Sequence, residues 1–276
     1  MTRRGFTLVE LLIAVTLAAL LGLGLTQLLV SDSRLVGRQE ALMDARQVAR
    51  ATVNVLSVDL RMVTAGGVVA ARPESVTVRV PMAFGIACNR SADTMYVALL
   101  PADPGRDTTR TRFGVATRAG TGYDFSLGEA DTLSVADSTS CSSAGVRILP
   151  GGSMLALQRV GPGPPAALDP RALFYLYEEV TYRFAPSAMV PGRWGLWSRT
   201  GTEPAVELAA PLDSTSSFAF LLGTDLVAQT SPPANLESIR GLELRVVGES
   251  ERWPSNERGP RRFALTTRVR FVNREG

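Results

Sequence analysis

The chain has 276 residues, 45% of them hydrophobic and 20% charged, and its net charge of +3 falls to +1 if Arg3 and Arg4 are set aside. That balance makes no electrostatic statement about partners, and the length allows one sizeable domain or two small ones beside a membrane segment. All 29 basic residues are Arg, with no His and no Lys, so His-based triads, His-ligated metals, lysine Schiff bases and phosphate-loop lysines are excluded.

The first element in chain order is the stretch Gly5 to Val30, GFTLVELLIAVTLAALLGLGLTQLLV. Its residues Leu11 to Val30 hold no charge, and twenty residues at 1.5 Å each make about 30 Å, the thickness of a hydrocarbon core. Arg3 and Arg4 precede it without an acidic residue, which places Met1 on the cytoplasmic side and everything after Val30 on the far side. One carboxylate, Glu10, lies inside the span, where a charge costs roughly 2.5 to 3.5 kcal/mol if central and less towards an interface. A secretory signal would need a shorter apolar core and a small-x-small cleavage site; here Ser31, Asp32, Ser33 and Arg34 lead into more helical pattern.

The basic leader ending in Gly5, followed by Phe6, Thr7, Leu8, Val9 and Glu10, resembles the class III signal of type IV pilins and type II secretion pseudopilins. The resemblance implies that a prepilin peptidase cuts between Gly5 and Phe6 and methylates the new amino terminus on Phe6. It also implies that Glu10 is an assembly residue, neutralising the terminal amine of a neighbouring subunit as helices pack into a filament. A cation and an anion held in lipid gain more from meeting than from standing alone.

Beyond Val30 the helical period continues. Leu35, Leu42, Ala45, Ala49, Val53, Leu56, Leu60 and Val63 recur at steps of three, four or seven, so one helix is expected from Phe6 to about Val63, closed by Gly66 and Gly67. Strands follow. Val76, Val78 and Val80 alternate with Thr77 and Arg79 before Pro81, and Met95 to Leu100 stop at Pro101. Between Ala102 and Ser143 the composition predicts hairpins and long loops, with short apolar runs at Phe113 to Thr117 and Thr132 to Val135, and Gly161 to Pro170 reads as a connector. A second set of strands covers Ala172 to Phe184, Trp194 to Arg199, Ala205 to Ala209 and Ser217 to Leu222. It closes with an antiparallel pair, Leu242 to Val246 and Phe263 to Phe271, around the loop Gly248 to Pro260.

The expected fold class is α+β, with a long helix followed by an antiparallel sheet domain, the pilin-like layout. Its expected division is a leader at 1–5, a transmembrane half-helix at 6–30, an amphipathic half-helix at 31–65 and an extracytoplasmic β-rich domain at 66–276. The runs VTYRF at 180–184, GLWSRTG at 195–201, SIRGLELRVV at 238–247 and LTTRVRFVNR at 265–274 resemble W-type minor pilins and J-type minor pseudopilins. That resemblance implies a minor, tip-associated subunit anchored in the inner membrane, with the prepilin peptidase, other pilins or pseudopilins and an inner-membrane assembly platform as partners.

Cys88 and Cys141 fall in the part expected outside the cytoplasm, where a single pair reads as a disulfide. With no CxxC and no His, no metal and no cofactor are expected. The carboxylate pairs Asp103 with Asp107 and Glu178 with Glu179 read as solvated charges, and no nucleophile elbow or phosphate loop supports an enzyme. An alternative function is a filament-exposed module binding DNA or a surface. Between Arg245 and Arg274 there are eight Arg against three Glu, with Trp253 among them, and Arg261 and Arg262 are the residues that would test it. The simpler account is that exposed strand positions need polar residues and this chain has only Arg to supply a basic one.

Overall fold

The structure is a computed structural model that describes residues 8–64, 66–91, 93–101, 111–119, 122–137, 139–147, 149–150, 152–158, 171–253 and 257–271. It opens with one helix, α1 (Leu8–Met62), of 55 residues. At 1.5 Å per residue α1 is about 80 Å long. After it Gly66 takes a φ of 66°, a left-handed turn that only glycine adopts without strain, and the chain enters the sheet.

The strands are β1 (Val68–Arg72), β2 (Ser75–Ser91), β3 (Thr94–Leu99), β4 (Arg112–Ala119), β5 (Gly122–Glu129), β6 (Thr132–Val135) and β7 (Met154–Gln158). There follow β8 (Leu173–Pro186), β9 (Trp194–Thr200), β10 (Val206–Leu212), β11 (Ser217–Leu222), β12 (Val227–Gln229), β13 (Ile239–Glu249) and β14 (Arg262–Arg270), while a short helix, α2 (Thr139–Ser143), lies between β6 and β7. They hydrogen-bond in the order β12-β11-β13-β10-β9-β8-β2-β3-β7-β6, with β1 on β2, β14 on β13 and the β4–β5 hairpin on β8. Every pairing is antiparallel. The expected α+β class, a long helix followed by a large antiparallel sheet, is what the chain adopts.

Two long strands, β2 and β8, run side by side through two packing regions. Near α1, Val76, Val78 and Val80 of β2 and Val180, Tyr182 and Phe184 of β8 join Ala49, Val53, Leu56 and Leu60 of the helix in one core, completed by Phe218, Phe220, Leu242 and Leu244. Further along, Ala83 and Ala87 of β2 and Phe174 and Leu176 of β8 join Phe113, Val115, Leu155 and Leu157 in a second core that the helix does not reach. The switch happens at Pro81. There β2 slips in register against β8, so that Met82 has no partner and burial passes from the even residues Val76, Val78 and Val80 to the odd ones Ala83 and Ala87. A bulge tolerates a residue without an N–H, so Pro81 bends the strand where the sequence suggested an end.

Two strands lie outside the apolar runs that the sequence singled out. β5, GYDFSLGE, completes with β4 a hairpin in the stretch where hairpins were expected, Tyr123, Phe125 and Leu127 alternating with Asp124, Ser126 and Gly128. β7 is MLALQ, buried at its first four positions between β3 and β6. The expected connector at 161–170 lies outside the described residues.

Candidate functional site

The amino-terminal helix is where apolar surface and solvent disagree most. From Leu8 to Val30 no residue is buried, and Leu8, Leu21 and Leu28 are 77%, 69% and 69% exposed. Fourteen large aliphatic side chains stand out this way within that stretch. Burying each is worth roughly 1.5–3 kcal/mol, so together they outweigh the 5–15 kcal/mol that typically holds a domain together. This surface must therefore face lipid or other helices. It is also apolar all round, without the polar stripe of a helix that lies on a soluble core. The hydroxyls within it are returned to the helix backbone: Thr16 donates to the carbonyl oxygens of Leu12 and Ile13, and Thr26 to that of Leu23. Such bonding is how a polar side chain is accommodated where water is absent. Among the described residues α1 is the one helix long and apolar enough to cross a membrane.

The other half of α1 is built differently. Ala41, Ala45, Ala49, Thr52, Val53, Leu56 and Leu60 are buried at helical spacing, while Leu35 stays 52% exposed, so the buried stripe starts about two turns later than the periodicity implied. Small residues let the helix approach closely. A Cβ added at Gly248 of β13 would lie 2.2 Å from the carbonyl oxygen of Ala45 and 3.0 Å from the backbone nitrogen of Ala49, so glycine is required at that crossing. Polar ties lock the rest. The Tyr182 hydroxyl donates to Asp59, and burial, reinforced by that carboxylate, pushes the Tyr182 hydroxyl well above the usual phenol range. Arg38 reaches Glu257 at 2.9 Å, and Arg46 sits over the ring of Phe263 at 5.3 Å. The sheet thus grips the helix from Ala41 onward and leaves the first half free-standing.

Compared with known protein families, the chain matches the model for the prokaryotic N-terminal methylation motif over residues 1–26. It carries a type IV pilin-like amino terminus. The motif spans the leader and most of the exposed half-helix, and it supports a pilin- or pseudopilin-type precursor. No curated protein and no solved structure matches the chain significantly. A pilin-type signal on an exposed apolar helix suggests anchoring in the inner membrane, and it implies processing by a prepilin peptidase and assembly with other pilins. Gly5 and Phe6, the expected cleavage and methylation residues, lie outside the described residues. Glu10 is exposed near the start of the described part of α1.

The remaining residues singled out in the sequence are scattered. Cys88 of β2 and Cys141 of α2 are joined as a disulfide, their Cα atoms 4.8 Å apart, in a small buried cluster with Ala98, Val146 and Met154. Asp103 and Asp107 lie outside the described residues. Glu179 forms ion pairs with Arg112 at 3.2 Å and Arg79 at 3.5 Å, a charge-matching role. Among the described residues no group of three or more His, Cys, Asp or Glu is placed to hold a metal ion.

Four arginines of the tail are set against carboxylates. Arg245 and Arg268 flank Glu243 at 2.8 and 2.9 Å, Arg262 bridges Asp213 at 2.8 Å and Glu249 at 2.9 Å, and Arg261 pairs with Glu257. Burial alone would raise the carboxyls of Glu243 and Asp213, but hydrogen bonds from Arg268 and Arg245 in the first case and from Thr215 in the second hold both below the ordinary range. Trp253 is covered by Arg193, whose guanidinium lies 5.0 Å from the ring centre. Sequence reasoning counted these arginines correctly. It could not see their carboxylate partners, because Glu243 and Asp213 come from other positions in the chain and become buried only on folding.

Proposed function

We propose that this chain is a minor, tip-associated pilin or pseudopilin, a structural subunit that helps prime assembly of a type IV pilus or a type II secretion pseudopilus. The observation that carries the reading is the division of α1, whose first half exposes apolar surface on every side under a class III signal while its second half is locked to a sheet. Such a helix can be drawn from lipid into a bundle of like helices without disturbing the sheet unit. The large sheet, with a second core beyond the helix, supports the minor role, because a chain built mainly to repeat along a filament has less need of it. The resemblance of the β8, β9, β13 and β14 sequences to W-type and J-type subunits supports the same reading.

In this scheme the leader 1–5 is removed after Gly5, Phe6 becomes the methylated amino terminus, and 6–30 is the membrane half of the helix. Residues 31–65 mount the helix on the extracytoplasmic sheet unit 66–276, where the Cys88–Cys141 disulfide would be stable. Glu10 takes the amine of a neighbouring subunit. The function is structural, and no catalytic step is assigned. Exchange of Glu10 for Ala tests the assembly role. The variant should be processed and inserted at wild-type levels yet be recovered from sheared filaments at a tenth or less of the wild-type amount. Equal recovery would remove Glu10 from the scheme.

A further inference from the structure

The face of the sheet turned away from α1 carries a groove of about 480 Å³ between β1, β2, β8 and β9. Tyr182 and Phe184 of β8 point to the helix core, so Thr181 and Arg183 between and beside them point to the opposite face. Three arginines line this groove, Arg72, Arg183 and Arg199, together with Trp197, Thr181 and Glu74. All three arginines are exposed.

Strand register sets their spacing. Arg183 lies opposite Trp197, and Thr181 opposite Arg199, so the two arginines are diagonal neighbours, about 7–8 Å apart at the backbone. Arg72 lies opposite Ser75, which in turn lies opposite Arg183, a separation of two strand spacings or roughly 10 Å. Floor and wall are fixed. Thr77 and Thr181 hydrogen-bond to each other at 2.9 Å, and the Trp197 indole N–H donates to the Pro186 carbonyl oxygen at 3.2 Å.

What distinguishes this groove is that it gathers three arginines uncompensated among the described residues, where Arg118 of β4 and Arg270 of β14 are uncompensated singly. Elsewhere on the sheet, Arg193, Arg245, Arg262 and Arg268 are each matched by a carboxylate within 3 Å. None of Arg72, Arg183 and Arg199 has a carboxylate partner within ion-pair distance among the described residues, although Glu74 lines the same groove. Like charges gathered on neighbouring strands oppose folding, and a bound anion removes that opposition. Guanidinium forks grip phosphate oxygens two at a time, and their spread suits successive phosphates of one strand better than a single small anion. Trp197 adds an aromatic wall on which a base can stack.

We infer that this groove binds a phosphodiester strand, with Arg72, Arg183 and Arg199 on its phosphates and Trp197 beside a base. The site is separate from the arginine-rich tail and does not depend on how the helix assembles. Glu74 keeps the expected affinity modest.

The test uses the full chain in neutral detergent micelles with a short fluorescein-labelled oligothymidylate, followed by anisotropy from low to physiological salt. Three phosphate contacts predict that log affinity falls with log salt at a slope near 2, from about 0.7 per contact on a single strand. Arg183→Gln with Arg199→Gln should lower affinity at least tenfold and bring the slope below about 1. Arg72→Gln alone, on the β1–β2 hairpin, should reduce the slope by about 0.7, and it keeps the test decisive if the double variant folds poorly. Arg270→Gln on β14 should change nothing. The inference is overturned if no strand binds at low salt, if both groove variants keep the wild-type slope, or if Arg261→Gln with Arg262→Gln abolishes binding instead. Binding of heparin without binding of the oligothymidylate would also overturn it, in favour of an acidic glycan.

Discussion

One helix serves two environments. Its residues from Leu8 to Val30 are exposed without exception, whereas from Ala41 to Leu60 every third or fourth residue is buried against β10, β13 and β14. Both halves are helical by the same backbone rule, so the contrast lies wholly in the side chains. Beyond Glu10 the first half carries no charge, with Leu, Ile and Val on all sides, and offers any neighbour much the same surface. The second buries a stripe of mostly small residues, and such a stripe fits only the surface shaped to receive it, here around Gly248. A helix that must change its surroundings during assembly needs the first kind of surface, and one that must hold its own domain needs the second.

Truncation separates the two halves most sharply. Leu60→Ala, at a fully buried site in the helix–sheet core, should lower the unfolding free energy of the sheet unit by roughly 2–5 kcal/mol. Leu20→Ala, 66% exposed, should leave it within about 0.5 kcal/mol. Chemical denaturation of the full chain in detergent measures both, and equal losses would erase the distinction. Gly248→Ala probes the crossing itself. Its new methyl group meets the backbone of α1, which cannot turn aside, and the expected cost is about 1–3 kcal/mol.

Acid gives the smallest and most specific effect. The carboxyls of Glu243 and Asp213 are held below their ordinary values of 4.5 and 3.8 in the folded chain. Groups with depressed folded pKa values add stability above their unfolded pKa, and that stability is lost as pH falls through the folded value. The thermal midpoint of the sheet unit should therefore be flat from about pH 8 to 5 and fall below about pH 4. Glu243→Gln should flatten part of that fall.

Much of this contrast could be read from the sequence, because helix period and charge distribution are local properties. The uncharged run from Leu11 to Val30 announced an apolar environment, and the repeat through Ala45, Ala49, Val53, Leu56 and Leu60 announced a buried face. Leu35 continued the same period yet stays exposed, since no strand reaches that turn of the helix. The antiparallel pair β13–β14 was legible for the same local reason, a strict alternation on both strands. β5 and β7 were not. MLALQ is buried on both faces between two strands and so shows no alternation, whereas in GYDFSLGE Tyr123, Phe125 and Leu127 do alternate with Asp124, Ser126 and Gly128, in a run otherwise made of turn-favouring Gly, Asp and Ser. Pro81 looked like a terminator because a missing N–H breaks a ladder, and only the partner strand shows that a bulge absorbs it. The unpaired arginines of the outer groove were equally invisible, because compensation of charge depends on which carboxylates folding brings near.

We propose that the exposed half of α1 becomes a pilin-type assembly helix by cleavage after Gly5. The most direct test is mass spectrometry of the chain's amino terminus after expression with and without a prepilin peptidase. A product beginning at N-methylated Phe6 is expected only when the peptidase is present. An intact leader in both cases, or cleavage beyond Val30, would contradict it.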